Sequence, residues 1–253
     1  MFYDQMPFHI KLEWGQRGAR AAAERGDIVI IVDVLSFSST VVTAIQYGAE
    51  IYPYPPPINE QAKTYAQSID AEIVWGRAET LKYGGHSLSP GSFTAMDKHK
   101  RFVMCSLNGA ACTWMAADAH ALLIGCMLNA TAVAKAAQQL SVTSRCNITV
   151  VPCGEKWSDA MNNENTLRPS IEDYLGAGMI VSRLNGTLSP EAEVCKGAYE
   201  QAKDRIPQLL WESASARELR ERGYEQDVVH CSQIDRMTIV PVLQAQKFMQ
   251  LIL

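Results

Sequence analysis

Long apolar runs are missing from this chain: no stretch approaches the roughly 18 consecutive apolar residues of a membrane-spanning helix. A basic tract is missing too, and the formal net charge is -4, so neither nucleic acid nor an anionic membrane is expected as a partner. The start of the chain, MFYDQMPFHIKLEWG, lacks the basic region and apolar stretch of a signal peptide. There are seven cysteines, an odd number, with no CxxC pair. That pattern fits reduced thiols and a cytoplasmic location better than a disulfide framework. The histidines, His9, His86, His99, His120 and His230, show no HxxxH or HExxH spacing, which excludes a zinc centre of that kind. No GxxxxGK[ST] loop, no GxSxG elbow and no GxGxxG after the first predicted strand is present. Internal repeats and low-complexity segments are also lacking.

What is there suits a folded α/β protein. The 253 residues are 47% apolar, enough for one large domain or two small ones. Strands are expected at 28–32, 50–54, 73–75, 101–105, 120–124, 147–151 and 238–242, and helices at 41–47, 60–68, 110–119, 130–139, 169–184, 190–211 and 214–222. Residues 76–91 read as a polar, Gly-rich loop. Alternating strands and helices point to a three-layer α/β/α fold with a largely parallel or mixed sheet. Residues 1–253 are expected to form a single domain, with room for a smaller C-terminal subdomain from about residue 187. The strand at 238–242 carries Pro241, which suggests an edge position. The apolar segments 209–211 and 248–253 suit either core or the interface of a homo-oligomer.

The most informative segment is DIVIIVDVLSFSSTVVT, residues 27–43. An apolar strand ends on Asp33, and Ser38, Ser39 and Thr40 follow just before a helical pattern. Hydroxyls at a helix start cap free amides, and those amides with the helix dipole attract anions such as phosphate. A neighbouring carboxylate could hold a metal ion bridging to that phosphate. Ligands of open α/β sheets bind beyond the carboxyl ends of the strands. If the strands are parallel, four polar turns gather there, bringing Asn108 with Gly109, Asn129, Cys153 and Glu155 towards Asp33. The loop EKWSDAMNNENTLRPSIED adds Arg168, which could clamp an anion through its planar fork or pair with Glu172 four residues on. It also adds Glu172 and Asp173, adjacent on a helix and therefore about 100° apart, so that one of the two is expected to face the site. Leu35, standing two residues after Asp33, argues against a DxD aspartyl phosphatase.

The ordered set VDVLSFSSTVVTAIQYGA, SLSPGSF, SLNGAA, LLIGCMLNATAVA, VVPCGEKW, LRPSIEDYLGAGMIV and GYEQDVVHCSQIDRMTIVPVL resembles the 2-phosphosulfolactate phosphatase (ComB-like) family, in order from about Asp27 to Val242. The resemblance implies a three-layer α/β/α fold and a Mg²⁺-dependent hydrolase. Its substrate would be a small phosphorylated sulfonate on the route to coenzyme M, or a related phosphorylated acid. Asp33 and Arg168 are then the expected catalytic residues. Ser38, Ser39, Thr40, Asn108, Gly109 and Asn129 would bind substrate, and Asp33, Glu155, Glu172 and Asp173 would bind Mg²⁺. Attack could come from a metal-activated water or from Asp33 itself. Where family members carry an Arg in a DVLRA-like run, this chain has Leu35, Ser36 and Phe37; in place of a GERGG-like loop it has Gly76, Arg77, Ala78, Glu79 and Thr80. These departures motivate a second reading, a catalytically inactive paralogue that binds a small anion. A third reading is hydrolysis of a non-phosphate bond through Cys153.

Overall fold

The structure, a computed structural model, describes residues 3–252. In chain order it runs β1 (Ile10–Leu12), α1 (Gly15–Glu24), β2 (Ile28–Val32), α2 (Phe37–Gln46), β3 (Glu50–Tyr54), α3 (Glu60–Ser68), β4 (Glu72–Val74) and α4 (Arg77–Tyr83). Then come β5 (Arg101–Cys105), α5 (Gly109–Met115), β6 (Ala121–Gly125), α6 (Ala130–Ser144), β7 (Ile148–Pro152), and the short strands β8 (Glu155–Lys156) and β9 (Leu167–Arg168). The chain closes with α7 (Ile171–Val181), α8 (Pro190–Ala202), α9 (Ile206–Glu212), α10 (Ala214–Glu221), α11 (Glu225–Cys231), β10 (Pro241–Gln244) and β11 (Lys247–Gln250).

Nine strands form one mixed sheet in the order β1-β7-β2-β6-β10-β11-β3-β5-β4, consistent with the expected three-layer fold. Pairing is parallel within β1-β7-β2-β6 and within β3-β5-β4. The β10-β11 hairpin joins the two groups by antiparallel pairing on both sides. β2 is buried along its whole length, as a strand covered on both faces must be. α1 buries Gly15, Gly18, Ala19 and Ala22, one stripe at helical spacing. α2 is buried almost all round, from Phe37 to Ile45, because it packs against strands of both groups.

Three antiparallel steps separate β6 from β3, so the β3-β5-β4 group runs opposite to the β2 group in pairing sense. Even so, the turn after β5 reaches the turn after β2 through a hydrogen bond from Gly109 to Asp33. The packing of α5, which begins at Gly109, against α1, α2 and β2 carries its first turn to the end of β2.

Several expectations are corrected. The strand carrying Pro241 lies in the middle of the sheet, and Pro241 is tolerated there as the first residue of β10. The loop predicted at 76–91 contains α4, which buries none of its residues and so has no apolar stripe to reveal it. α2 starts at Phe37, four residues earlier than expected. The helix expected over 190–211 is α8 and α9 with a 3-10 turn between them, and the one expected from 169 begins at Ile171. Of the two apolar segments, Leu210 and Phe248 are core, while Trp211 stays partly exposed beneath the Arg220 guanidinium; Leu253 lies outside the described residues.

Candidate active site

Four carboxylates converge beyond the carboxyl ends of β2 and β7. Asp33 accepts from the Phe37 amide on Oδ1 at 3.2 Å and from the Gly109 amide on Oδ2 at 2.9 Å. These are the first amides of α2 and α5. The approach of α5 requires glycine at 109, since a Cβ there would run into the Phe37 side chain. Asp173, near the start of α7, accepts from Val34 N at 2.7 Å on Oδ1 and from Gly154 N at 2.9 Å on Oδ2. It therefore ties the turn after β2 to the turn after β7. Gly154 has φ +66°, and a Cβ there would stand 2.8 Å from Leu167. Glu155 accepts from Asn108 Nδ2 at 2.7 Å on Oε2. Glu172 is 2% exposed, and its buried Oε1 has no hydrogen-bond partner.

Glu172 and Asp173 thus both turn into the cluster, where one was expected, because α7 is buried around most of its circumference. Their uses differ: Asp173 holds backbone, and Glu172 leaves an oxygen free. None of the four carboxylates has a lysine, arginine or histidine nitrogen within 4 Å among the described residues. Burial pushes Asp33 up to about 6; the Phe37 and Gly109 amides oppose this, the charge of Glu172 adds to it and Arg77 opposes it. Burial, then repulsion by Asp33, pushes Glu155 up to about 7 against the Asn108 hydrogen bond, with Glu172 adding and Arg168 opposing. Asp173 is raised as well, by burial and then by its acidic neighbours Asp33 and Glu172.

Cations stand at the flanks. Arg168 is the cross-strand partner of Glu155 in the β8-β9 pair. Its guanidinium lies over the Trp157 ring and reaches Ser215 Oγ at 3.5 Å, rather than pairing with Glu172. A cavity of 230 Å³ opens beside Asn108, Cys153 and Glu155, with Arg17 and Lys156 also in its lining.

The hydroxyls expected to meet phosphate are turned elsewhere. Ser38 Oγ accepts from Asp33 N and donates to Ile31 O, Ser39 donates to Val34 O, and Thr40 donates to Leu88 O. All three side chains are fully buried, and they brace the turn after β2 instead of facing a ligand. Asn129 is also fully buried; it accepts from Cys126 N and donates to Ile124 O and Ile239 O, anchoring the segment before β10. Cys153 is 3% exposed, and burial raises its thiol, with Cys112 beside it adding to the shift. A thiol so placed stays protonated near neutral pH, which removes the physical basis for a thiolate nucleophile.

Arg77, Asp227, Ser89 and Ser36 meet on the α2 side of the cluster, a grouping that no sequence motif announces. Arg77 donates from Nε and Nη2 to Asp227 Oδ2 at 2.8 and 2.6 Å, and from Nη2 to Ser36 Oγ at 2.5 Å. Ser89 donates to the other Asp227 oxygen. The one signal in the sequence was an arginine in the loop that departs from the family pattern.

The 2-phosphosulpholactate phosphatase family profile matches residues 17–246. A probable 2-phosphosulfolactate phosphatase of Pseudothermotoga lettingae is 30% identical over 226 residues, covering 88% of this chain and 92% of its own. The 2-phosphosulfolactate phosphatase of Methanocaldococcus jannaschii is 28% identical over 213 residues, covering 80% and 83%. A probable 2-phosphosulfolactate phosphatase of Carboxydothermus hydrogenoformans is 29% identical over 220 residues, covering 84% of each chain. With the match spanning the strands, turns and helices that build the acidic site, this chain belongs to the 2-phosphosulfolactate phosphatase family.

Proposed function

We propose that the chain is a Mg²⁺-dependent phosphatase acting on 2-phosphosulfolactate or a closely related small phosphorylated acid. The observation that carries this is a cluster of four carboxylates, Asp33, Glu172 and Asp173 buried and Glu155 half-buried, with no paired cation among the described residues and one orphaned oxygen. Burying anions together is costly unless a positive charge joins them. An all-oxygen donor set suits Mg²⁺, which is typically held by one or two carboxylates, several waters and substrate phosphate oxygens. Among the described residues no three His, Cys, Asp or Glu side chains are arranged to hold one ion by themselves, and such a mode needs no more than two.

Within that set, Glu172, with its free oxygen, and Asp33 are the two carboxylates that would hold the ion, and Glu155 would accept from one of its waters, while Asp173, bonded to Val34 N and Gly154 N, fixes the two turns that present them. When bound, Mg²⁺ would polarise a phosphoryl oxygen and make a bound water more acidic. Asn108 orients Glu155 through its amide. Arg168, cross-strand from Glu155, would offset charge that grows on the phosphoryl group. Asp33 is held on each oxygen by a helix-start amide, which spreads its charge and favours water over Asp33 as the attacking group.

The test is phosphate release from 2-phosphosulfolactate with Mg²⁺ and after chelation. Asp33→Asn is expected to lose at least about 100-fold in kcat/KM. Unchanged release by Asp33→Asn at saturating Mg²⁺ would end this reading.

A further inference from the structure

The Arg77 cluster has a geometry that the phosphatase reading leaves unused. Asp227 Oδ2 takes both Nε and Nη2, which sets the plane of the guanidinium. Ser36 Oγ takes Nη2 from the other side, and Ser36 immediately precedes α2, three residues after Asp33. Tyr224 covers one face, its ring centroid 5.4 Å from Cζ, and its hydroxyl donates to the Arg77 carbonyl at 3.2 Å. Each holding group is itself held. Asp227 receives the Ser89 hydroxyl, and Ser36 donates to Leu88 O, the same carbonyl that takes Thr40. Three side chains from two segments, the start of α11 and the start of α2, thus fix one guanidinium in one orientation. Nη1 alone has no protein partner among the described residues, and the Arg77 side chain keeps 15% exposure.

A buried ion pair is weak support for stability, because desolvation offsets most of its Coulomb energy. Fixing an arginine so closely while leaving two N–H donors free is instead the arrangement of a site that receives an anion, whose binding then costs little side-chain entropy. Its position ties it to the site: Ser36, which takes Nη2, immediately precedes the helix whose first amide Asp33 accepts. Arg168 already stands cross-strand from Glu155, on β9, so the acidic cluster has a guanidinium from two different elements. A monoester whose only charge is its phosphoryl group has no need of both. A substrate with a second anionic group does.

Resting on the phosphatase reading, we propose that Arg77 is a substrate-binding residue: Asp227, Ser36 and Tyr224 hold it at the start of α2 so that Nη1 takes the anionic group of the substrate that does not react, a sulfonate or a carboxylate. Asp227 is then a positioning residue, acting through Arg77.

The experiment compares wild type, Arg77→Ala, Arg77→Lys and Asp227→Asn on three esters: p-nitrophenyl phosphate, phosphoglycolate and 2-phosphooxyethanesulfonate. The first has no second anion, the second has a carboxylate and the third a sulfonate. Loss of one charge-assisted contact in Arg77→Ala should raise KM about 10- to 100-fold for at least one of the two dianionic-group esters while p-nitrophenyl phosphate changes by about twofold or less. The more affected ester names the group. Arg77→Lys should recover part of the loss, and Asp227→Asn should show a smaller KM increase with the same ester selectivity. Where Arg77→Ala fails to fold, the Lys and Asn variants carry the comparison. Equal losses on all three esters would overturn the proposal and leave Arg77 as a structural clasp. Calorimetric titration with sulfoacetate and with glycolate, which cannot release phosphate, gives a second readout. If wild type releases phosphate from none of the esters and not from 2-phosphosulfolactate either, the phosphatase reading fails, and weaker binding of either anion to Arg77→Ala still supports the assignment, whereas unchanged binding of both rejects it.

Discussion

Asp33 and Asp173 are spent on backbone amides in a way that makes the site depend on carboxylates as acceptors as much as on their charge. Asp173 receives Val34 N and Gly154 N on different oxygens, so a neutral side chain with one oxygen satisfies one amide and leaves the other facing an N–H₂ group. Asp173→Asn is therefore expected to destabilise the fold by about 1–3 kcal/mol and to lower kcat/KM through movement of the two turns. Urea unfolding midpoints with parallel kinetics check this; a variant of wild-type stability would show that the two amides find other partners. At this scale the sequence was partly legible. Asp33, Asn108, Glu155 and Glu172 could be singled out because each follows a strand or opens a helix. The use of Ser38 to Thr40 could not, since a hydroxyl before a helix reads the same whether it faces a ligand or a carbonyl of the preceding turn. Arg77 and Asp227 meet across 150 positions of chain, a separation over which no local pattern operates.

Among the elements, the β10-β11 hairpin decides how the two parallel groups join. Gln244 pairs with Lys247 across the two-residue turn Ala245-Gln246, and both turn residues have positive φ, 47° and 65°. That is the backbone of a type I′ turn, which favours Asn-Gly. L-residues other than Gly and Asn pay roughly 1–2 kcal/mol each to occupy it. Replacing Ala245 with Asn and Gln246 with Gly together should raise the melting temperature by a few degrees, on the scale of about 2–4 °C per kcal/mol for a chain of this size. A calorimetric scan showing no rise would mean that the turn is set by its strands alone. The same chemistry explains why this hairpin is not legible in the sequence: Ala-Gln is not a turn signal, and Pro241 points to an edge. The strands at 28–32, 50–54 and 101–105 were legible because apolar residues bounded by turn chemistry need no knowledge of their neighbours.

For the molecule as a whole, the unpaired acidic cluster couples stability to pH and to metal. Asp33 moves from 3.8 to about 6 and Glu155 from 4.5 to about 7, so the metal-free folded chain binds more protons than the unfolded chain between those values. Their stabilising contribution is fully present below about pH 4 and is lost as pH rises through about 6 to 7. His230, whose pKa burial lowers, works in the opposite sense, its contribution fading as pH falls below 6.5. Thermal scans of chelated protein are expected to give a lower melting temperature at pH 8 than at pH 6. Mg²⁺ should raise it more at pH 8, where the carboxylates are ionised, and Glu155→Gln should flatten the dependence. A metal-free protein more stable at pH 8 would contradict the account.

What the sequence determined by itself is local: which segments are apolar enough to be buried strands, where turns must fall, and that acids and amides cluster after those strands. The ordered motifs carried the family as well, because they lie in the turns that shape the site. Tertiary structure alone decided the rest. The direction and joining of the two strand groups, the packing of α5 that brings Gly109 to Asp33, and the pairing of Arg77 with Asp227 arise from contacts among residues far apart in the chain. Which carboxylate oxygen is left free is settled in the same way, by the one neighbour that Glu172 Oε1 does not have.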